Sequence, residues 1–272
     1  MEYKIFANHA HVFDAERRPN GTVQELLKLM VNCGISKAVC FAPFKGQTSD
    51  PNIDPVEWLA KEIENEPRLV GFGTIDFDRD DIEKQVERIA ELGFKGIKVH
   101  PAAQEISIVG EKARRMYEVA EEKGLFLSFH TGIHWHRISD YHPILFDEVA
   151  FDYPMLQFSL EHIGGYHFFK DALAVMCNTK RPIPRVYAGW TSITPPDNNP
   201  PSSWTISDEE LRTVIYQTGN EYSIFGLDFP YNREEYTMKA IERIINLDIP
   251  EEAKRGVLGE NLARVLDVSL DD

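Results

Sequence analysis

The feature that most constrains this chain is a beat: a short apolar run followed by a helical pattern, repeated eight times from one end to the other. The runs are Tyr3–Val12, Ser36–Ala42, Leu69–Ile75, Gly96–Val99, Leu125–Phe129, Met155–Glu161, Arg185–Trp190 and Tyr222–Leu227. Apolar residues follow one another in them rather than alternating, as in strands buried on both faces. Between the runs the pattern turns helical. Thr22 and Glu25 read as a capping box, opening a helix striped with Leu26, Met30 and Cys33 and closed by Gly34. Asp54-Pro55 opens the next, and Asp80–Leu92 sets Ile82, Val86 and Ile89 on one face. Glu111–Lys123, a helix around Ile144–Val149, Tyr166–Cys177, a Ser207/Glu210-capped helix ending at Gly219, and Glu234–Asn246 complete the series. A last helix, Glu251–Leu266, is interrupted near Gly256 and Gly259.

Eight strand-then-helix units predict an α/β fold, a closed parallel (β/α)8 barrel, as a single domain over residues 1–272. The competitor is an open doubly wound sheet. Its dinucleotide-binding form would carry G-x-G-x-x-G after the first strand, where this chain has Asn8-His9-Ala10-His11. There is no internal repeat and no linker long enough to divide the chain. The one stretch expected to be structureless is Ser192–Ser207, which includes Thr194-Pro195-Pro196-Asp197-Asn198-Asn199-Pro200-Pro201. Long loops inside compact domains are usually functional or disordered.

A barrel of this kind places its chemistry at the C-terminal ends of the strands. His9 and His11, two apart, point to one side of the first strand, a spacing that suits a divalent metal but is weak by itself. The remaining histidines strengthen it. His100 ends strand four, His130 strand five and His162 strand six, while Asp228 ends strand eight. His134, His136 and His142 follow in the loop after His130, and only His167 lies apart from strand ends and that loop. The structural alternatives are a buried His162 bonded to a backbone carbonyl and a His100 that merely caps its strand before Pro101. Arg137, in the cluster His134-Trp135-His136-Arg137, reads either as a solvated side chain or as a fork for a substrate carboxylate.

Composition narrows the partners. A formal net charge of −15 argues against nucleic acid or an anionic membrane, both of which need basic patches. No apolar stretch approaches the roughly 20 residues of a membrane span, and no signal peptide opens the chain, so a cytoplasmic protein with a small-molecule substrate is expected. A homo-oligomer remains open. Cys33, Cys40 and Cys177 are too scattered for a disulfide framework or a thiolate metal site.

Six segments resemble the metal-dependent amidohydrolase superfamily, in its amidohydrolase-related branch of TIM-barrel hydrolases and decarboxylases. They are Asn8–His11, Gly93–Pro101, Ser128–His130, Glu161–Gly165, Phe225–Pro230 and Leu258–Arg264, and the resemblance they carry runs over essentially the whole chain. Leu227 stands where that family usually has serine, at a position that is not a ligand. The resemblance implies a mononuclear site in which His9, His11, His130 and Asp228 hold the metal. His162 would polarise the substrate or orient water, and Asp228 would take the proton from that water. Three imidazoles and a carboxylate suit zinc, with manganese or iron as alternatives. Some superfamily members carboxylate a strand-four lysine to bridge two metals, a further reading for Lys98.

The activity implied is hydrolysis of an amide, ester or lactone, with non-oxidative decarboxylation on the same site as the rival. A non-catalytic barrel with a structural metal is the alternative from another class, disfavoured by the lack of rim cysteine. A polynuclear phosphoesterase would need more rim carboxylates than Asp228 provides. His100, Lys98 and Arg137 are the candidate substrate contacts. If the substrate is a carboxylate, Lys98, Arg137 and Arg233 are the cations placed to hold it.

Overall fold

The strands form where the apolar runs lie. The computed structural model describes residues 3–180, 185–195 and 202–271. Its strands are β1 Ile5–His11, β2 Ile35–Phe41, β3 Leu69–Gly73, β4 Gly96–Val99, β5 Phe126–His130, β6 Phe158–Glu161, β7 Val186–Thr191 and β8 Ser223–Phe229. All pair in parallel with their sequence neighbours, and β8 returns to β1, closing the barrel. Between them run α1 Val23–Asn32, α2 Pro55–Ile63, α3 Ile82–Glu91, α4 Glu111–Lys123, α5 Phe146–Asp152, α6 Gly165–Asn178 and α7 Asp208–Thr218. After β8 come α8 Glu234–Asn246, α9 Glu251–Arg255 and α10 Asn261–Leu266. No helix among the described residues is long and apolar enough to cross a membrane.

The local signals act as the sequence suggests. Ser207 and Glu210 form a complete capping box at α7, whereas at α1 the Thr22 hydroxyl accepts from the Glu25 amide. The terminal helix is broken at Gly256–Glu260, where a π-helical turn separates α9 from α10. Most boundaries shift by one or two residues, and two shifts have a visible local setting. β6 begins at Phe158 rather than Met155, because the Met155 and Leu156 amides are tied to Glu121 on α4, at 2.6 and 3.1 Å, instead of joining the sheet. α5 starts at Phe146, after a 3-10 turn over Pro143–Leu145. Of the loop expected over Ser192–Ser207, residues 196–201 lie outside the described residues.

One end of the barrel is sealed by apolar side chains. Phe6, Val39, Phe72, Phe126, Tyr187 and Ile224 fill its N-terminal interior, and Leu262, Ala263 and Leu266 of α10 close it from below. The other end carries the histidines.

Candidate metal centre at the C-terminal rim

His9, His11 and Asp228 each bring one ligand atom into a group whose members lie within 4.8 Å of one another. β1 supplies both imidazoles, and β8, hydrogen-bonded beside it, supplies the carboxylate. His9 Nε2 is 3.6 Å from Asp228 Oδ1. The backbone is strained to achieve this. Among the described residues seven non-glycine positions have positive φ, and five of them, His9, His162, Ile163, Ser192 and Asp228, sit on or beside this rim. Such conformations cost of order 1–3 kcal/mol each and persist where the surroundings over-determine them, typically at functional sites.

The surroundings here are a buried polar network centred on Glu161. Its Oε1 accepts from Asn8 Nδ2 at 2.8 Å, from Ser128 Oγ at 3.2 Å and from the Ser159 hydroxyl. Its Oε2 accepts from Thr191 Oγ1 at 2.6 Å and faces His9 Nδ1 at 3.0 Å. A carboxylate opposite Nδ1 places the ring proton there and leaves the Nε2 lone pair for the site, the device by which outer groups orient metal-binding histidines. Two glycines make room: a Cβ at Gly189 would meet the Glu161 carboxylate at 2.5 Å, and one at Gly226 would overlap the Thr191 hydroxyl. Asp228 is fixed likewise, its Oδ2 accepting from Ser192 Oγ at 2.6 Å, while Asn232 Nδ2 donates to that hydroxyl at 2.8 Å.

His130 stands outside the 4.8 Å group but on the same cavity. Its ring stacks on His100, with centroids 3.8 Å apart and planes 10° from parallel, and meets His162 edge-on at 4.7 Å. His130 Nε2 is buried without a hydrogen-bond partner. An orphaned imidazole nitrogen on a ring that lines the same cavity as His9, His11 and Asp228 is what a metal would satisfy, so the donors present fit a divalent cation.

His162 makes the carbonyl bond that the structural alternative requires, Nδ1 to Thr191 O at 2.9 Å, and also lines the cavity. That bond places the proton on Nδ1 and leaves Nε2 an acceptor. His100 accepts from the Ala103 amide at 3.2 Å, and it too lines the cavity. Lys98 does not: it is fully buried beneath the site, its Nζ 3.4 Å from His9 Nε2 and 5.2 Å from the centroid of the Phe41 ring. Arg137 is 76% exposed beside Asp140, and Arg233 is exposed at the start of α8; neither lines the cavity.

The electrostatics follow from burial. It holds His9, His11, His100 and His130 well below the ordinary histidine value, with Lys98 or neighbouring imidazoles adding to the effect. His162 is lowered to about 4 by burial and then by Lys98. At neutral pH these rings are uncharged, the form that ligates metal. Burial pulls Lys98 down to about 8, against the opposing pull of Glu161 and Asp228. It raises Asp228, against the Ser192 hydrogen bond and the Lys98 charge. A dication beside Asp228 would reverse that rise.

The cavity above these groups measures about 620 Å³. Sequence reasoning missed its walls: Phe44, Trp204 and Tyr231 come from loops, where no periodicity betrays a role. Trp204 packs against His162 at 4.7 Å and His130 at 5.4 Å. Glu161 was missed as well, although a carboxylate closing the run Phe158-Ser159-Leu160 is a detectable signal.

Comparison with known proteins agrees with this architecture. The family model described as Amidohydrolase matches residues 10–268. No curated protein matches the chain by sequence. Among solved structures, 5-carboxyvanillate decarboxylase from Sphingomonas paucimobilis superposes with a TM-score of 0.70 at 16% identity, over 98% of this chain and all of the other. A Pseudomonas putida protein provisionally named 2-pyrone-4,6-dicarboxylic acid hydrolase gives 0.70 at 16% identity, over 100% of both chains. A dihydroxybenzoic acid decarboxylase from a Polaromonas species, with bound manganese, gives 0.68 at 15% identity, over 98% of this chain and 97% of the other. At such identities the likeness is one of fold.

Proposed function

The chain belongs to the amidohydrolase family, and from that premise we propose that it is a metal-dependent hydrolase cleaving an amide, ester or lactone in a small carboxylated substrate. The observation that carries this reading is the convergence of His9, His11 and Asp228 within 4.8 Å at one end of the barrel. His9, His11, His130 and Asp228 would hold one divalent metal, zinc foremost, with manganese or iron as alternatives. Bound there, the metal would supply Lewis-acid polarisation and activation of water.

The side chains divide the remaining work. Asp228, held through Oδ2 by Ser192, takes the proton of the attacking water and returns it to the leaving oxygen or nitrogen. His162, neutral with a free Nε2, accepts a hydrogen bond and so orients that water instead of polarising a carbonyl. Glu161 keeps the His9 ring in place.

A second reading is favoured by the walls. Phe44, Trp204 and Tyr231 suit a flat ring, such as the aromatic acids named for two of the structural neighbours, and would serve a decarboxylase equally. The test is a screen of metal-loaded protein against carboxylated amides, lactones and aromatic acids, following both acid release and carbon dioxide. Hydrolysis that stops on chelation and returns with zinc or manganese is the expected result. Carbon dioxide release from aromatic acids, with no hydrolysis, would replace the hydrolase reading by the decarboxylase one.

A further inference from the structure

The turn after β4 holds His100 in the opposite tautomer from its neighbours on the rim. The His100 amide donates to Gln104 Oε1 at 2.7 Å, and the Gln104 amide donates to the His100 carbonyl at 2.9 Å. Gln104 Nε2 in turn donates to the Ile75 carbonyl at 2.9 Å. Thus clamped, the turn delivers the Ala103 amide to His100 Nδ1 at 3.2 Å. A nitrogen that accepts an N–H carries no proton, so the ring is neutral and its proton sits on Nε2. In His162 and His9 the order is reversed. There Nδ1 faces the Thr191 carbonyl and the Glu161 carboxylate, and Nε2 is the lone-pair end.

The Nε2–H of His100 faces the cavity. The ring stands between Phe44 at 6.2 Å, His134 at 4.6 Å and the stacked His130 at 3.8 Å, and all four rings line that space. Among the described residues His100 Nε2 has no hydrogen-bond partner, yet unlike His130 Nε2 it is not sealed from solvent. His100 is otherwise buried, so the cavity is what its free edge reaches. A fixed donor with no acceptor on the protein is placed for an oxygen of the substrate. With His162 an acceptor that orients water, the carbonyl oxygen of the scissile bond still needs such a donor from the chain.

We propose that His100 is a catalytic residue whose Nε2–H holds the carbonyl oxygen of the ester, lactone or amide as it becomes an oxyanion. The proposal rests on the hydrolase reading. As the water oxygen bonds to the carbon, the carbonyl π pair moves onto the oxygen facing His100, and Asp228 takes the water's proton. The carbonyl re-forms when the leaving group departs with that proton. The His100 proton is shared in a hydrogen bond and stays on Nε2 throughout.

The test uses zinc-loaded protein carrying isotope-labelled histidine, and phenylphosphonate, whose tetrahedral oxyanion stands in for the hydrolysis intermediate. Long-range proton–nitrogen spectra should show His100, identified by the signal missing from its variants, protonated on Nε2 and bare on Nδ1. His162 should be the reverse. In calorimetry wild type should bind phenylphosphonate about 10- to 100-fold more tightly than His100→Asn, the scale of one hydrogen bond to a charged group. An asparagine amide falls near the position of Nδ1 and a glutamine amide near that of Nε2, so His100→Gln should recover part of the affinity. Metal per chain should be equal in all three. A His100 proton on Nδ1, wild-type affinity in His100→Asn, or a loss of affinity that only follows lost metal overturns the proposal and leaves the hydrolase reading standing. Metal-loaded wild type that neither binds phenylphosphonate nor hydrolyses an ester, lactone or amide removes the hydrolase reading, and the proposal with it.

Discussion

The two ends of the barrel interior are built from the same inward-facing strand positions and filled with opposite chemistry. At the N-terminal end Phe6, Phe72 and Phe126 meet aliphatic neighbours and the α10 side chains, and the polar groups among them are individually satisfied: the Tyr187 hydroxyl reaches Gln157 and the buried Lys37 ammonium reaches the Pro67 carbonyl. At the C-terminal end five histidines, Lys98, Glu161 and Asp228 are buried or nearly so. Strain separates the ends too: of the seven positive-φ non-glycine positions among the described residues, five belong to the rim, whereas Asp267, near the floor, is an ordinary left-handed helix cap. The floor supplies stability by burial. The rim gives some of it up to hold charged and polar groups in fixed places, and this division can be attacked from either side.

The largest effect is expected at the floor. Phe72 is fully buried against Phe41 and Phe126, with ring centroids 5.8 and 6.2 Å away. Phe72→Ala should lose about 3–5 kcal/mol in denaturant unfolding, while the protein that remains folded keeps its metal content. Loss of metal from folded Phe72→Ala would mean that floor and rim are not separable. Next in size is His162→Asn, for which kcat/KM should fall about 100-fold or more with metal retained. Metal lost in parallel would make His162 a ligand. Glu161→Gln should act the other way round, weakening metal affinity about 10- to 100-fold by releasing the His9 ring. An unchanged affinity would reduce the Glu161 network to packing.

The smallest effect is on pH dependence. His162 is about 4 in the folded protein against an ordinary 6.5, and His9, His11, His100 and His130 are shifted the same way. Between those limits the unfolded chain binds protons that the native state refuses, so stability rises with pH. It is fully present above about 6.5 and is lost as pH falls toward 4. The raised Asp228 works in the opposite sense. Metal-free protein should therefore melt several degrees lower at pH 5 than at pH 7.5, and an equal melting temperature would show that the rim histidines are not held neutral.

Much of this was legible in the sequence, for physical reasons. The eight strands are runs buried on both faces, and His9, His11, His130, His162 and Asp228 fall at or beside their ends. Glu161 was hidden because its partners, Asn8, Ser128, Ser159 and Thr191, come from four strands and share no sequence spacing. The arginines placed near the rim, Arg137 and Arg233, are both exposed and line no part of the cavity, which side-chain exposure decides and no sequence spacing reveals. Trp204 follows a proline-rich stretch that has no period to read.

The central claim is that four side chains from β1, β5 and β8 hold one divalent metal, and metal per chain measured by mass spectrometry tests it most directly. Wild type should carry about one zinc, manganese or iron per chain, as a mononuclear site requires. His9→Ala, His130→Ala and Asp228→Asn should each lose most of it while remaining folded. His130 is the decisive case, because it stands outside the 4.8 Å group. Full metal content in folded His130→Ala would contradict this ligand set.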